Sequence, residues 1–410
     1  MPAPELTVYG AYWCPDCRRA KKFLGENFIP FNWVDIEQDR AAEALVLHKN
    51  QGKRIIPMIV FADGSFLVEP TNARLAEKLG LKTKAAKKYY DVIIAGAGPA
   101  GLTAAIYAAR EGLDTLVVER SGIGGQVGIT TLDNFPGFPE GIPGQEFADR
   151  AAQQARRFGV EFLQAQEISY LENEENYRVV QLDGGEHYHA PALLLATGAS
   201  YRRLEVPGED EYIGAGVHFC ATCDGPFYKG AKQLVVIGGG NSATEEALQL
   251  TRFADRVTML VRGEALKASQ IAIDKIGSPH SRVEVLFRTR VEAFEGADSR
   301  LKSVKYRSLQ TGESGELFPA AAFIFIGQQP NSAFARGMVA LDESGFILTG
   351  RDLEPGRNWM ETRQPFAFET SWPGVFAAGD VRKGSTKQVA AAVGEGAAAV
   401  IALRDYLRLV

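Results

Sequence analysis

Four cysteines stand in a chain of 410 residues, and they come as two Cys-x-x-Cys pairs: Cys14 and Cys17 in YWCPDC, Cys220 and Cys223 in FCATCDGPFYKG. Two thiols at this spacing can close a disulfide, supply half of a metal site, or exchange with an outside disulfide through a mixed disulfide. A four-thiolate zinc site would use every cysteine, but structural sites pair their knuckles about 15 to 20 residues apart. Here the pairs lie in different parts of the chain and no Cys/His cluster completes either, so no metal is expected. Pro15 sits where a first helical residue belongs, which puts Cys14 at a helix start. The helix dipole, Arg18, Arg19 and nearby lysines should depress the Cys14 pKa, with Asp16 opposing them. Cys17 is expected deeper, placed to close the disulfide.

Two glycine loops follow the logic of nucleotide binding. In YYDVIIAGAGPAGL an apolar strand runs into Gly96, Gly98 and Gly101, which fit GxGxxG: a tight turn, close backbone approach to a diphosphate, and close helix–strand packing. The next strand, Leu116 to Val118, ends in Glu119, where a carboxylate can accept bonds from a ribose. In QLVVIGGGNSA the same places are taken by Gly238, Gly240 and Ala243. After the strand Val257 to Val261 the acid's position holds Val261, and Arg262 comes next. A guanidinium there can grip a 2′-phosphate that an acid would repel, so this second site is expected to favour NADPH over NADH. Two such units in one chain imply two dinucleotides.

The elements that must position these groups fall into blocks. Strand Leu6 to Ala11, a helix from about Pro15 to Glu26, strand Phe31 to Ile36, a helix from about Asp39 to Gln51, strand Met58 to Ala62, the hairpin turn Asp63-Gly64, a short strand and a helix from about Asn72 to Leu79 give the order βαβαββα. KTKAAKKYY (82–90), with its run of lysines, reads as a linker or a loosely docked helix whose charges are solvated. The remainder is the doubly wound pattern, twice. Composition is that of an ordinary folded protein, 46% hydrophobic and 23% charged. A formal charge of −5 gives no basic surface for nucleic acid. No apolar run approaches the ~20 residues of a membrane span, and MPAPELTVYG lacks a signal peptide's pattern, so the expected address is the cytosol. There a Cys-x-x-Cys is catalytic or metal-binding rather than structural. His218, two residues before Cys220, could assist proton transfer but reads first as an ordinary strand residue. His187 and His189 alternate in a strand and could make half a metal site, but with no carboxylate or thiol partner evident they read as solvent-facing.

From about Tyr90 onward the chain resembles the low-molecular-weight thioredoxin reductases, on GAGPAG (Gly96 to Gly101), GGQ (Gly124 to Gln126), NFPGFP (Asn134 to Pro139), ATG (Ala196 to Gly198), VPGE (Val206 to Glu209), CATCDGPFY (Cys220 to Tyr228), GGGNSA (Gly238 to Ala243) and GVFAAGD (Gly374 to Asp380). The resemblance implies FAD held by Gly96, Gly98, Gly101, Glu119, Gly125, Gln126, Asn134, Gly379, Asp380 and Gln388. It implies NADPH held by Gly238, Gly240, Asn241, Ser242, Ala243, Arg262 and Lys267. It places Cys223 against the flavin, makes Cys220 the attacker of the protein substrate and gives Asp224 the acid/base role; the bland reading of Asp224 is a turn residue before Gly225. Gly263 stands where the family carries a second arginine and Lys267 where it carries a third, which thins the NADPH clamp. The segment 351–374 is longer than a compact reductase needs, and no physical account of it follows from the sequence. Residues 1–81 resemble the glutaredoxins and mycoredoxins on WCPDC, Ile55-Ile56-Pro57 and the Asp-Gly turn, with a cis Ile56-Pro57 bond facing the thiols. The Gly-Gly-acid segment that grips glutathione is replaced by EPTN (Glu69 to Asn72).

The fold class implied is α/β: an N-terminal thioredoxin-fold, glutaredoxin-like domain (1–81), a linker (82–89), a Rossmann-like FAD-binding domain in two pieces (90–206 and 327–410) and a Rossmann-like NADPH-binding domain (207–326) carrying the second pair. Hinges are expected at Pro207-Gly208 and near Gly327. The function expected is an NADPH-dependent disulfide reductase passing electrons from NADPH to FAD, to Cys220–Cys223, to Cys14–Cys17 and to an external disulfide on a protein or low-molecular-weight thiol. The alternatives are a peroxiredoxin reductase resembling the alkyl hydroperoxide reductase flavoprotein and a slow redox-sensing flavoprotein. A homodimer follows from the resemblance alone.

Overall fold

A computed structural model describes residues 6–11, 13–27, 29–129, 131–297, 300–354 and 363–409, with the backbone alone for Glu26, Ile129 and Cys223. The N-terminal module runs β1 (Leu6–Gly10), α1 (Pro15–Glu26), β2 (Asn32–Asp35), α2 (Arg40–Lys49), β3 (Met58–Phe61), β4 (Phe66–Val68) and α3 (Asn72–Lys78), the order read from the sequence. Its sheet is ordered β2-β1-β3-β4, parallel between β1 and β2 and antiparallel elsewhere. Asp39 caps α2 by accepting from the Ala41 and Ala42 N–H groups, and Thr71 caps α3 through Arg74 N, which fixes where each helix starts. One face of the sheet packs Leu6, Val8, Leu24, Ile59 and Leu75; the other packs Ile36, Val46 and Met58 around both cysteines. The Ile56-Pro57 bond is cis, as expected.

By contacts the chain forms two units: residues 1–128, 143–198 and 330–410, and residues 129–142 and 199–329. In the first, β5 (Val92–Ala95), α4 (Pro99–Arg110) and β6 (Thr115–Val118) open a parallel five-stranded sheet ordered Val375–Ala377, Ala192–Leu195, β5, β6, Glu161–Leu163. The three four-residue strands of this sheet, VIIA, TLVV and ALLL, are buried at every position, as parallel strands covered on both faces must be. An antiparallel sheet of Ile168–Glu174, Tyr177–Leu182 and His187–Ala190 completes it. The second unit repeats the plan: a parallel sheet ordered Val217–His218, Ala321–Ile324, Ala231–Ile237, Ala254–Leu260, Val283–Leu286, and an antiparallel one of Thr289–Ala297, Arg300–Ser308 and Ser314–Leu317. Pro207-Gly208 is no hinge. A Cβ on Gly208 would come 2.0 Å from the Phe294 carbonyl oxygen, and Phe294 N donates to Pro207 O at 2.9 Å, so this turn is packed inside the second unit. The chain crosses instead through the paired short strands Ala199–Tyr201 and Gln328–Pro330.

The lysine run is neither a helix nor loose. Lys82 pairs with Glu161 at 2.6 Å and Lys84 with Glu186 at 3.1 Å, while Lys87 reaches Asp114 and Lys88 reaches Glu186. The backbone joins in, Ala85 N donating to the Tyr188 hydroxyl and Ala86 N to Glu161 Oε1. The segment is an extended strap laid along the first unit. Residues 355–362 of the 351–374 extension lie outside the described residues. Beyond them Arg363 grips the fully buried Glu369 at 2.6 and 2.7 Å, and Glu369 also accepts from Phe366 N and Gly374 N, a satisfied buried pair that anchors the extension's end. No helix of the described residues is long and apolar enough to cross a membrane.

Candidate functional site

Cys14 is the N-cap of α1, and its sulfur accepts from Cys17 N at 3.1 Å. The same sulfur lies 3.8 Å from the Ile56 carbonyl, so the cis-Pro turn does face the pair. Both cysteines are free thiols, Cys14 4% exposed and Cys17 fully buried. Burial, with the hydrogen bond to Cys14 next, pushes the Cys17 thiol up to about 12. Gly10 makes the space: a Cβ there would meet Cys17 Sγ and the Trp33 ring, each at 2.7 Å. Arg19 is occupied otherwise than expected. Its guanidinium bonds Asp16 Oδ1 at 2.9 Å, the Pro70 carbonyl at 2.9 Å and Asn72 Oδ1 at 3.1 Å, tying the first turn of α1 to the segment standing in the glutathione-gripping position. Tyr12 lies outside the described residues. One prediction follows from the thiols themselves. With a pKa of about 12, only about one Cys17 in 10⁴ is thiolate at pH 8. Iodoacetamide should therefore label Cys14 and spare Cys17 in the reduced folded protein, as peptide mass spectrometry would read; equal labelling would contradict this geometry.

In the first unit the glycine loop divides its labour. Gly96 has φ +103°, and a Cβ would sit 2.4 Å from the Ala196 carbonyl oxygen; a Cβ on Gly101 would sit 2.0 Å from Gly96 O. Those two glycines serve packing. Gly98, the N-cap of α4, makes no side-chain cap bond and would place a Cβ in open space, with nothing within 4 Å. The first N–H groups of α4 therefore open onto a cradle that a diphosphate fits. Glu119 is buried at the end of β6, and its carboxylate takes Ala97 N at 2.6 Å and Ser121 N and Oγ at 2.8 and 2.9 Å. Of about four acceptor positions on a carboxylate, one is left for a ribose hydroxyl. Gly125, at φ +57°, would place a Cβ 3.6 Å from Gly98 Cα, so the Gly-Gly-Gln turn lies against the same cradle; Gln126 is exposed. Gly379, at φ +75°, would place one 2.9 Å from Ala100 Cβ on α4. Asp380 follows it, its carboxyl pushed up by burial against the pull of Lys387, whose Nζ donates to Asp380 O at 2.5 Å. Gln388 is the N-cap residue of the helix Val389–Leu407, and its side chain makes no capping bond to that helix. Asn134 is exposed in the segment 129–142, which belongs to the second unit.

Sequence reasoning missed Glu395 and Arg382. Glu395 accepts from Gly379 N at 2.8 Å and holds Arg382 at 2.7 and 3.2 Å, fixing the Gly379-Asp380 turn. The available signal was the one carboxylate within the alanine-rich stretch Ala390–Ala399, where a charge needs a partner.

The second unit repeats the cradle. Gly238 has φ +139° and would place a Cβ 2.3 Å from the Phe325 carbonyl oxygen, and Ala243 is buried beside it; Gly240, the N-cap of the helix Asn241–Leu250, would meet nothing within 4 Å. Asn241 Oδ1 accepts from Ser269 N, Ser242 is exposed at the helix start, and Lys267 N donates to Gly239 O at 2.7 Å. Val261 is buried, as a residue without a ribose to bind should be, and Arg262 and Lys267 are exposed. Glu264, an acid close enough in sequence to spoil a phosphate site here, is paired with Arg288 at 2.9 Å. Arg288 itself, whose N donates to Gly263 O at 2.9 Å, is a cation beside the loop that the sequence did not single out. Arg262→Ala should raise KM for NADPH about 10- to 100-fold, the worth of a charge-assisted bond, and leave KM for NADH nearly unchanged. Equal effects on both nucleotides would remove Arg262 from the site.

Cys220 is disulfide-bonded, and Asp224 N donates to Cys220 O at 3.1 Å, closing the helical turn Ala221–Asp224 on which Cys223 lies. The side chain of Cys223 lies outside the described residues. Two histidine expectations need correction. His218 is not an ordinary strand residue: it is buried with Nδ1 3.4 Å from Asp224 Oδ2 and Nε2 2.6 Å from the Tyr228 hydroxyl. His187 is exposed, but His189 is buried under the stacked ring of Tyr89 with Nδ1 3.1 Å from Glu174 Oε2, because the residue that covers it comes from the strap rather than from its own sheet. Among the described residues no group of three His, Cys, Asp or Glu side chains could hold a metal ion.

Comparison with known proteins agrees with this geometry. The model for pyridine nucleotide-disulphide oxidoreductases matches residues 90–396, and the glutaredoxin model matches residues 6–67. The chain is 38% identical over 322 residues to the thioredoxin reductase of Bacillus subtilis (strain 168), covering 78% of this chain and 96% of that protein. It is 40% identical over 319 residues to that of Mycolicibacterium smegmatis, covering 78% and 96%. Among solved structures, the thioredoxin reductase from Streptococcus pyogenes aligns with a TM-score of 0.71 at 34% identity, over 79% of this chain and 100% of that one. The one from Giardia duodenalis aligns at 0.69 and 31%, over 78% and 100%.

Proposed function

The chain belongs to the pyridine nucleotide-disulphide oxidoreductases, and from that premise we propose that it is a self-contained reductase whose second thiol pair feeds its first. It is an enzyme of the thioredoxin reductase type, in a family that uses FAD and NADPH. When bound, FAD takes a hydride from NADPH and makes its two electrons available to a disulfide. The cradle at Gly98, with Glu119, Gly125, Gly379 and Asp380 around the start of α4, fits FAD; the cradle at Gly240 with Arg262 and Lys267 fits NADPH.

What the chain's own thiols do is then exchange. Cys220 as thiolate attacks the Cys14–Cys17 disulfide, and a Cys220–Cys14 bond forms as Cys17 leaves and takes a proton. Cys223 attacks Cys220, that bond breaks, and Cys14 is released as the thiolate that meets an external disulfide. Glutaredoxin couples lie about 40 to 70 mV above thioredoxin's, roughly 2 to 3 kcal/mol for two electrons, so flow into the first pair is downhill if it has a glutaredoxin's potential and the second pair a thioredoxin's. The lysine strap means that the carrier module is not on a free tether, so the proposal does not rest on the ~mM concentration a flexible linker would give. The working unit is read as a homodimer in the cytosol, with a disulfide protein or a low-molecular-weight disulfide as final acceptor. The observation that carries this reading is the Cys14–Cys17 pair, buried and N-capping α1, in a glutaredoxin-like module on the same chain as a complete reductase.

The test is anaerobic reduction with a small excess of NADPH, followed by alkylation and a mass-spectrometric map of free thiols. Cys14 and Cys17, starting oxidised, are expected to become free together with Cys220 and Cys223. A map in which Cys14 and Cys17 stay oxidised overturns the proposal. The relatives above are named thioredoxin reductases, which favours this reading over a peroxiredoxin reductase.

A further inference from the structure

His218 ends the short strand Val217–His218, paired in parallel with Ala321–Ile324 and set opposite Phe323, two residues before Cys220. A core histidine that merely fills space spends its nitrogens on backbone groups. This one places Nδ1 3.4 Å from the carboxylate of Asp224 and bonds the hydroxyl of Tyr228 through Nε2 at 2.6 Å. Asp224 arrives from the helical turn Ala221–Asp224 and Tyr228 from the turn Gly225–Tyr228 that follows, while Phe323 covers the ring at 5.3 Å between centroids. Arg300, from Arg300–Ser308, is a cation that pulls the Tyr228 hydroxyl the other way. Burial, then Asp224, pushes the Tyr228 hydroxyl up to about 12, so it keeps its proton across the working range. It can donate to a bare Nε2 or accept from Nε2–H, and so holds the ring in either state. Nδ1 is left as the nitrogen that trades a proton with Asp224.

We propose that His218 is a positioning residue for Asp224, orienting its carboxylate and holding the proton that the Cys220 pair takes up and gives back. This rests on reading Asp224 as the acid/base of that pair. The balance is NADPH plus one solvent proton plus a disulfide giving NADP⁺ and two thiols. The relay handles the solvent proton: the imidazolium Nδ1–H bond breaks as an O–H bond forms on Asp224, and that bond breaks as an S–H bond forms on a leaving thiolate. The ring is left with Nε2–H on the Tyr228 oxygen and regains its proton from water. When Cys220 must attack, the path runs backward, S–H to Asp224 to Nδ1.

The experiment uses the full chain, reduced with dithiothreitol, and reads the iodoacetamide alkylation rate of Cys220 by peptide mass spectrometry from about pH 5 to 9, beside the pH profile of NADPH-driven disulfide turnover. The parent is expected to show the same inflection in both profiles. His218→Phe should slow alkylation at pH 7 about 10-fold and remove that inflection. His218→Asn, which keeps an N–H donor in the place of Nδ1, should recover to within about threefold of the parent without regaining the inflection. Tyr228→Phe, which leaves the ring free to turn, should move the inflection. If His218→Phe keeps the parent's profile while Asp224→Asn is slow, the relay is overturned alone. If Asp224→Asn also keeps the parent's profile, the acid/base reading beneath it falls too. Should His218→Phe fail to fold, parent-like inflections in both His218→Asn and Tyr228→Phe overturn the relay.

Discussion

Cys14→Ser should give an enzyme that NADPH still reduces but that no longer turns over external disulfides. Serine keeps the N-cap of α1, since its oxygen can accept from Cys17 N as the sulfur does, so the module should stay folded. What is lost is the nucleophile, because a hydroxyl at pH 7 supplies almost no oxyanion where a thiol supplies a thiolate. Turnover on a small disulfide should fall by about 100-fold or more, while anaerobic bleaching of the flavin and reduction of Cys220 proceed at the parent's rate. Cys17→Ser should behave differently. Cys14 can still attack, but without Cys17 only Cys220 can resolve the mixed disulfide, so a covalent adduct of pre-reduced Cys14 with the small thiol should appear as added mass without NADPH and be cleared when NADPH is supplied. Both variants compared in stopped-flow and steady-state assays separate the two halves of the path. A Cys14→Ser enzyme with the parent's turnover would mean that Cys220 meets the external disulfide directly and that the N-terminal module does something else.

What could be read from the sequence was local, and what could not was held by residues distant in the chain. The order of β1 to β4 and α1 to α3 was legible because period, turn residues and caps such as Asp39 and Thr71 are short-range signals. The glycine loops and Glu119 were legible because strand, loop and acid follow one another at fixed spacing. The cis Ile56-Pro57 bond came with the resemblance to glutaredoxins. His218 and His189 were misjudged because alternation along a strand says nothing of Tyr228 or Tyr89 arriving from elsewhere. The lysine run reads as solvated because its acids, Glu161, Glu186 and Asp114, are far along the chain. Arg19 reads as a cation for Cys14 until Pro70 and Asn72 come to take its donors. Gly208 looks like a hinge as a Pro-Gly dipeptide should, and only the Phe294 carbonyl beside it shows why glycine is required there.

The glycines of the first loop should separate binding from packing in a single pair of variants. Gly98 lies at φ −74°, open to any residue, and a Cβ there would meet nothing within 4 Å. Gly98→Val should therefore fold, losing about 1 kcal/mol for a poorer N-cap, yet push its branched side chain into the cradle over the first N–H groups of α4. Flavin affinity should drop by about 100-fold or more, since a diphosphate cannot approach the backbone through an isopropyl group. Gly96→Ala makes the opposite change. At φ +103° an L-residue is strained, and its Cβ would stand 2.4 Å from the Ala196 carbonyl oxygen, so the loss falls on the fold, at about 3 kcal/mol or more. Because bound flavin itself stabilises by linkage, the comparison must be made between flavin-free proteins. Flavin-free Gly98→Val should melt within about 3 °C of the flavin-free parent, and flavin-free Gly96→Ala well below both. A yellow Gly98→Val protein with the parent's affinity for FAD would mean that the open space at the start of α4 is not where the diphosphate lies, and the assignment of Gly98, Gly125 and Gly379 to one site would fall with it.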